Sequence, residues 1–220
     1  MSALFTIDTL RKTYGERLLL DVSKLQLDAG KIYALTGDNG SGKSTLLRIL
    51  AGLESADLLN GIFNNRVVNG ANYSAELRRD IIYVHQHPYL FNTSVAANIE
   101  YGLKLRGVDA AARKKMAAEA IVWAGLTTVA DVQPKRLSGG EKQKAALARA
   151  KVLNPKILLV DEPTANLDRA AREQIIGLLR QTVAADNFAN NAVLVACHDR
   201  EIIDLPGVIR LHLEAGKISV

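Results

Sequence analysis

The stretch Gly37-Asp38-Asn39-Gly40-Ser41-Gly42-Lys43-Ser44-Thr45 constrains this chain more than any other. It follows an apolar, β-prone run, Ile32-Tyr33-Ala34-Leu35, and opens a helix-prone run, Leu46-Leu47-Arg48-Ile49-Leu50-Ala51. The order is strand, glycine loop, helix, with the spacing G-x-x-x-x-G-K-S. Glycines let the backbone curl until successive N–H groups point inward and hold phosphate oxygens. A helix that starts near Lys43 turns the positive end of its dipole toward the same anion. Lys43 can reach the β- and γ-phosphates of a nucleotide, and the Ser44 hydroxyl can ligate Mg²⁺. A flexible loop could carry these letters by chance, but it would not need a strand before it and a helix after it.

Composition narrows the setting. The 220 residues suffice for one α/β domain with a sizeable subdomain. Hydrophobic residues make up 48% and charged residues 23%, the balance of a soluble globular chain. Apolar runs such as Ile157 to Val160 and Ala192 to Cys197 are far shorter than a membrane span. The start, Met1-Ser2-Ala3-Leu4-Phe5, lacks a basic n-region and a long apolar h-region, so no signal peptide is expected. The single cysteine, Cys197, excludes an intrachain disulfide and fits a reducing cytosol. The net charge of +5 comes from scattered Lys and Arg, so no nucleic-acid partner is expected.

Taken in order, residues 4–10 and 18–27 read as strands, with a turn at Asp28-Ala29-Gly30. The glycine-loop unit follows. A short strand is expected near Gly61-Ile62-Phe63, a turn at Asn69-Gly70 and a strand at Ile81-Ile82-Tyr83-Val84. From Pro88 to about Asn154 helices take over. One runs from a cap at Thr93 or Ser94 to Gly107, a second from Asp109 to Gly125, and a third begins after Gly139-Gly140. Strand signals return at Ile157 to Val160 and Ala192 to Cys197, around a helix over Asp168 to Val183. A strand pair at Val208 to Leu213 and Lys217 to Val220 closes the chain. The β-α-β alternation around the glycine loop predicts a largely parallel core sheet interrupted by a helical insertion.

Two further stretches carry chemistry. Ile157-Leu158-Leu159-Val160-Asp161-Glu162 is an apolar strand that ends in two acids. Beside a phosphate loop, the first acid can hold Mg²⁺ and the second can polarise an attacking water. Leu137-Ser138-Gly139-Gly140-Glu141-Lys142-Gln143 is a second small-residue turn at a helix start, either an ordinary Ser cap or a second anion site. His85 and His87 flank Gln86 without an acid or cysteine cluster, so they read as surface residues rather than metal ligands. Cys197 reads as a small core residue, and Trp123 as helix packing.

With these features in this order, the chain resembles the ATP-binding cassette (ABC) family over nearly all its length. Gly37 to Thr45 resembles Walker A, Leu137 to Gln143 the family signature, and Ile157 to Glu162 Walker B with its following glutamate. Gln86 is placed like the Q-loop glutamine, Pro163-Thr164-Ala165-Asn166-Leu167-Asp168 like the D-loop, and His198 like the switch histidine. Tyr14 is placed like the aromatic that stacks on adenine. There are departures: Ala165-Asn166-Leu167-Asp168 where Ser-Ala-Leu-Asp is commonest, and Lys144 where Arg is usual, which loses the bidentate fork.

The resemblance implies an α/β P-loop ATPase core with a parallel sheet and an N-terminal antiparallel β subdomain over 1–86 and 155–220, and a helical signature subdomain over 87–154. It implies ATP and Mg²⁺ as ligands. Glu162, His198, Gln86 and Lys43 would serve catalysis, and Ser44, Gln86 and Asp161 the metal. Tyr14, Gly37, Asp38, Asn39, Gly40, Ser41, Gly42, Lys43, Ser44 and Thr45 would contact the nucleotide. Ser138, Gly139, Gly140 and Asp168 would complete the site from a second copy in a nucleotide-sandwich homodimer.

The use implied is to energise a transporter through a separate transmembrane permease, from the cytoplasmic face of the membrane. The loop His87 to Val95 offers apolar side chains for that contact, unless it packs on its own helices. Leu90 to Arg106 and Pro163 to Asp168 resemble bacterial oxyanion importer cassettes of the tungstate or molybdate kind, which would add a periplasmic substrate-binding protein. Lipoprotein or peptide exporter ATPases are the alternative, and a soluble cassette of translation or DNA maintenance is another. The latter usually carry two cassettes or long coiled coils, which this sequence lacks.

Overall fold

Residues 3–70, 75–184 and 189–219 are described by the computed structural model. Met1, Ser2 and Val220, on which parts of the readings above fall, lie outside them. Strand β1 (Ala3–Tyr14) pairs antiparallel with β2 (Arg17–Asp28), from Ala3 opposite Asp28 to Tyr14 opposite Arg17. Both strands run past the expected 4–10 and 18–27, because the hairpin keeps pairing up to its turn. Ile7 and Leu10 are both buried although strict alternation forbids it. A register shift between Ile7 and Thr9 against β4 (Leu58–Phe63) resets the phase. β5 (Arg66–Asn69) completes a four-stranded sheet in the order β2-β1-β4-β5. Neither β5 nor the short helix α2 (Ala75–Asp80) is anticipated by the sequence pattern.

The other sheet has six strands. They are β3 (Lys31–Thr36), β6 (Ile81–Val84), β7 (Ile157–Asp161), β8 (Ala192–Ala196), β9 (Val208–Glu214) and β10 (Lys217–Ser219), in the order β10-β9-β3-β8-β7-β6. β3 runs parallel to both β8 and β9, β7 runs parallel to β8, and β10 turns back antiparallel on β9. Every residue of β7 and β8 is buried, which is why both read as unbroken apolar runs rather than alternating ones.

The chain forms two compact units. The first holds Met1–Tyr83, Lys156–Glu162 and Thr182–Val220. Its core is one apolar cluster that joins both sheets to helix α1 (Lys43–Leu50). Leu46, Leu47, Ile49 and Leu50 all face inward, so α1 is buried on most of its circumference. Within this cluster the Phe5 and Phe63 rings meet edge-on, 5.4 Å apart.

The second unit holds Val84–Pro155 and Pro163–Gln181. Helices α3 (Val95–Leu105), α4 (Ala110–Trp123) and α5 (Gly139–Lys151) pack on one another, and α6 (Arg169–Ala184) starts within it. α3 and α4 start where they are read to start because side-chain caps act locally, whereas α5 starts at Gly139, ahead of the expected start after Gly140. The Ser94 hydroxyl accepts from the Ala97 N–H at 3.1 Å, and Asp109 accepts from Ala111 and Ala112 at 3.0 Å. Among the described residues, no helix is long and apolar enough to cross a membrane.

Candidate active site

Parallel register gathers the chemistry at one sheet edge. Leu35 of β3 and Asp161 of β7 both stand level with Ala196 of β8. The loops that leave these three strands therefore begin side by side, and they carry Gly37, Glu162 and His198. Such a carboxyl edge is where open α/β sheets bind ligands.

The glycine loop is fixed from several sides. Gly37 has φ 142°, and a Cβ there would lie 2.3 Å from the Leu213 carbonyl oxygen, so no larger residue fits. The Gly40 carbonyl accepts from the Arg17 guanidinium at 3.4 Å. Gly42 caps α1 without a side-chain bond, and the first turn of α1 holds no acid. Its leading N–H groups thus face the loop with no anionic partner from their own helix.

Lys43 is only 7% exposed. Its ammonium donates to the Gly37 carbonyl at 2.8 Å and to the Asp38 carbonyl at 3.2 Å, and it lies 3.0 Å from His198 Nε2. The same Nε2 is 3.4 Å from Glu162 Oε1. That nitrogen accepts from Lys43 in one tautomer and donates toward Glu162 in the other, so His198 can exchange partners by moving one proton. Burial lifts the Glu162 carboxyl above its usual range, against the pull of His198 and Lys43. Its backbone sits at φ 41°, a left-handed conformation rare for a residue with a side chain, and its N–H donates to the Ala196 carbonyl at 2.8 Å.

Asp161 is 2% exposed. Its Oδ2 accepts a 2.7 Å hydrogen bond from the Tyr83 phenol. Its Oδ1 is buried with no hydrogen-bond partner among the described residues, and so is the Ser41 hydroxyl. A buried ionised oxygen without a partner is costly, and a hard cation satisfies it. The donor set suits magnesium and phosphate: carboxylate and hydroxyl oxygens for the metal, an ammonium and free N–H groups for the anion.

Tyr14 stands apart from these groups. Its ring is 49% exposed, Lys12 Nζ lies 5.0 Å from the ring centroid, and its hydroxyl bonds to Glu54. Gln86, Ser138, Gly139, Gly140 and Asp168 belong to the second unit. Gln86 is half-buried. Ser138 is exposed, and its hydroxyl and N–H donate to Glu141 at 2.8 and 2.7 Å while Glu141 N–H donates back to the hydroxyl at 3.2 Å. This capping box holds the turn rigidly with Gly139 at the surface. Asp168 caps α6 by accepting from Ala171 N–H at 2.9 Å. His85 and His87 are exposed, and Cys197 is fully buried, its thiol pushed up to about 12 by burial.

The apolar loop after Gln86 divides. Leu90 is buried, and the Phe91 backbone is stapled to the buried Asn98 side chain by bonds of 2.8 and 3.0 Å. Tyr89 stays 74% exposed and stacks edge-on against Phe91, which also touches the exposed Tyr101. Sequence reasoning passes over Tyr83, Arg48 and Glu54. A hydroxyl inside the apolar strand Ile81-Ile82-Tyr83-Val84 is the signal that points to the first of them.

A glycine loop between β3 and a buried helix, with an acid pair at the end of a parallel strand of the same sheet one strand away, defines a P-loop ATPase. The ABC transporter family matches residues 20–165. The tungstate uptake system ATP-binding protein TupC of Peptoclostridium acidaminophilum is 40% identical over 171 residues, 77% of this chain and 77% of its own. The sulfate/thiosulfate import ATP-binding protein CysA of Thermosynechococcus vestitus is 38% identical over 197 residues, 89% of this chain but 57% of its own. Among solved structures, the dimeric ATP-binding cassette MJ0796 bound to ADP and Pi superposes with a TM-score of 0.82 at 29% identity, over 98% of this chain and 97% of that one. The chain belongs to the ABC transporter family, as its ATP-binding and ATP-hydrolysing domain.

Proposed function

We propose that this chain energises import through a separate membrane permease, working as a homodimer on the cytoplasmic face of the membrane, with an oxyanion as the cargo. The observation that carries the catalytic part is the convergence of Lys43, His198 and Glu162 beside an Asp161 oxygen that has no partner among the described residues. Lys43 and the loop N–H groups hold the β- and γ-phosphates, and Tyr14 stacks on the base. Ser44 and Asp161 would hold magnesium, with Gln86 as a further ligand implied by the family resemblance, and the ion would neutralise charge on the transferring phosphoryl group. Glu162 takes the proton of the attacking water, helped by the raised basicity that burial gives it. His198 orients that water and relays the state of the γ-phosphate through its two partners. Ser138, Gly139 and Gly140 of a second copy, with its Asp168, close the site, so that ATP acts as the shared ligand of two subunits.

The names of the relatives support import, and TupC and CysA support an oxyanion cargo; a substrate-binding protein outside the membrane would deliver it. The exposed Tyr89 and Tyr101 beside Phe91 support permease docking on the second unit. Uptake of labelled tungstate, molybdate and sulfate by cells lacking the gene tests the cargo. Uptake of one of these oxyanions should be lost, restored by the wild-type gene and not by Glu162→Gln. Unchanged uptake of all three would rule out the oxyanion assignment.

A further inference from the structure

Among the described residues, the Asp161 carboxylate uses one of its two oxygens: the Tyr83 phenol donates to Oδ2 at 2.7 Å, and Oδ1 has no partner. The terminal torsion of an aspartate is broad and nearly two-fold, so packing alone does not fix which oxygen points where. Tyr83 is itself held. The Arg48 guanidinium lies close enough to act on the phenol, and it is anchored at 2.9 Å to Glu54 and at 3.2 Å to the Thr45 hydroxyl. The phenol is the donor of this bond, because an ionised carboxylate can only accept. Burial works against ionisation of Glu54, yet its bonds from Tyr14 and Arg48 carry its carboxyl below the usual range. The anchor of the network is therefore charged at neutral pH.

We propose that Tyr83 is a positioning residue for the metal site: it engages Asp161 Oδ2 and thereby aims Oδ1 at the magnesium ion. The inference rests on the reading of Asp161 as a metal-side carboxylate. Groups that hydrogen-bond to a metal ligand change metal affinity by about 10–100-fold when removed. Tyr83→Phe deletes one hydroxyl and keeps the ring that fills the space, so it isolates the hydrogen bond.

The experiment is an electron paramagnetic resonance titration of Mn²⁺, standing in for Mg²⁺, into protein loaded with a non-hydrolysable ATP analogue. Tyr83→Phe should weaken Mn²⁺ binding about tenfold, with affinity for the metal-free analogue unchanged. In an Asp161→Asn background the same substitution should have no effect on Mn²⁺. Equal Mn²⁺ affinity in wild type and Tyr83→Phe overturns the inference. A full-size penalty that persists in Asp161→Asn overturns it too, because the phenol would then act through the fold and not through this carboxylate. If wild-type protein with the analogue binds no Mn²⁺ beyond what the analogue binds alone, the metal reading of Asp161 fails first.

Discussion

Glu162→Gln should lower steady-state ATP turnover by about 10²–10⁴-fold, the range that a positioned general base contributes. Nucleotide affinity should stay within a factor of a few, since the groups that hold phosphate, Lys43 and the loop N–H donors, are untouched. Gln keeps the shape of Glu, so the left-handed backbone at φ 41° and its bond to the Ala196 carbonyl are preserved. What disappears is a carboxylate that burial has made more basic, 3.4 Å from His198 Nε2. Turnover and equilibrium binding of a fluorescent ATP analogue separate the two effects. Wild-type turnover in this variant would remove Glu162 from the mechanism.

The second large effect is steric. Gly37→Ala places a methyl group 2.3 Å from the Leu213 carbonyl oxygen and 3.0 Å from Ser41 Oγ, at a φ of 142° that an L-residue barely adopts. The backbone oxygen belongs to β9, whose pairing with β3 fixes the floor of the loop, so it cannot swing aside as a flexible side chain would. Overpacking of this kind costs about 1–3 kcal/mol, added to about 1–3 kcal/mol of backbone strain. ATP affinity should fall with the loop geometry. Gly40→Ala is the comparison: φ there is 78°, but nothing lies within 4 Å of the added carbon, so only strain of about 1–2 kcal/mol applies. Thermal unfolding and ATP binding of the two variants check this. Equal losses would mean that the β9 contact does not shape the loop.

The sequence made local features legible and left long-range ones hidden. Ser94 and Asp109 start their helices as read, because a cap needs only the next three residues. The glycine loop was legible for the same reason: strand, loop and helix are contiguous. Strand order was not, since β3 lies between β8 and β9, which arrive late in the chain. The Tyr83 bond to Asp161 spans 78 residues, and no local pattern encodes it. No local pattern marks the Arg48 bond to Glu54, or the bond of Glu54 to Tyr14, either. The left-handed Glu162 was hidden as well, because no glycine or asparagine marks that position.

The central claim is that the glycine loop is half of a site, completed by Ser138 to Gly140 of another copy. A complementation assay tests it most directly. Lys43→Ala disables the loop and keeps the signature turn, and Ser138→Arg disables the turn and keeps the loop. Each variant alone should be silent in ATP turnover. In a two-fold dimer formed from both, one site joins an intact loop to an intact turn. Turnover should therefore reappear on mixing the two inactive proteins. A mixture as inactive as its parts, or wild-type turnover by Ser138→Arg alone, would contradict the account.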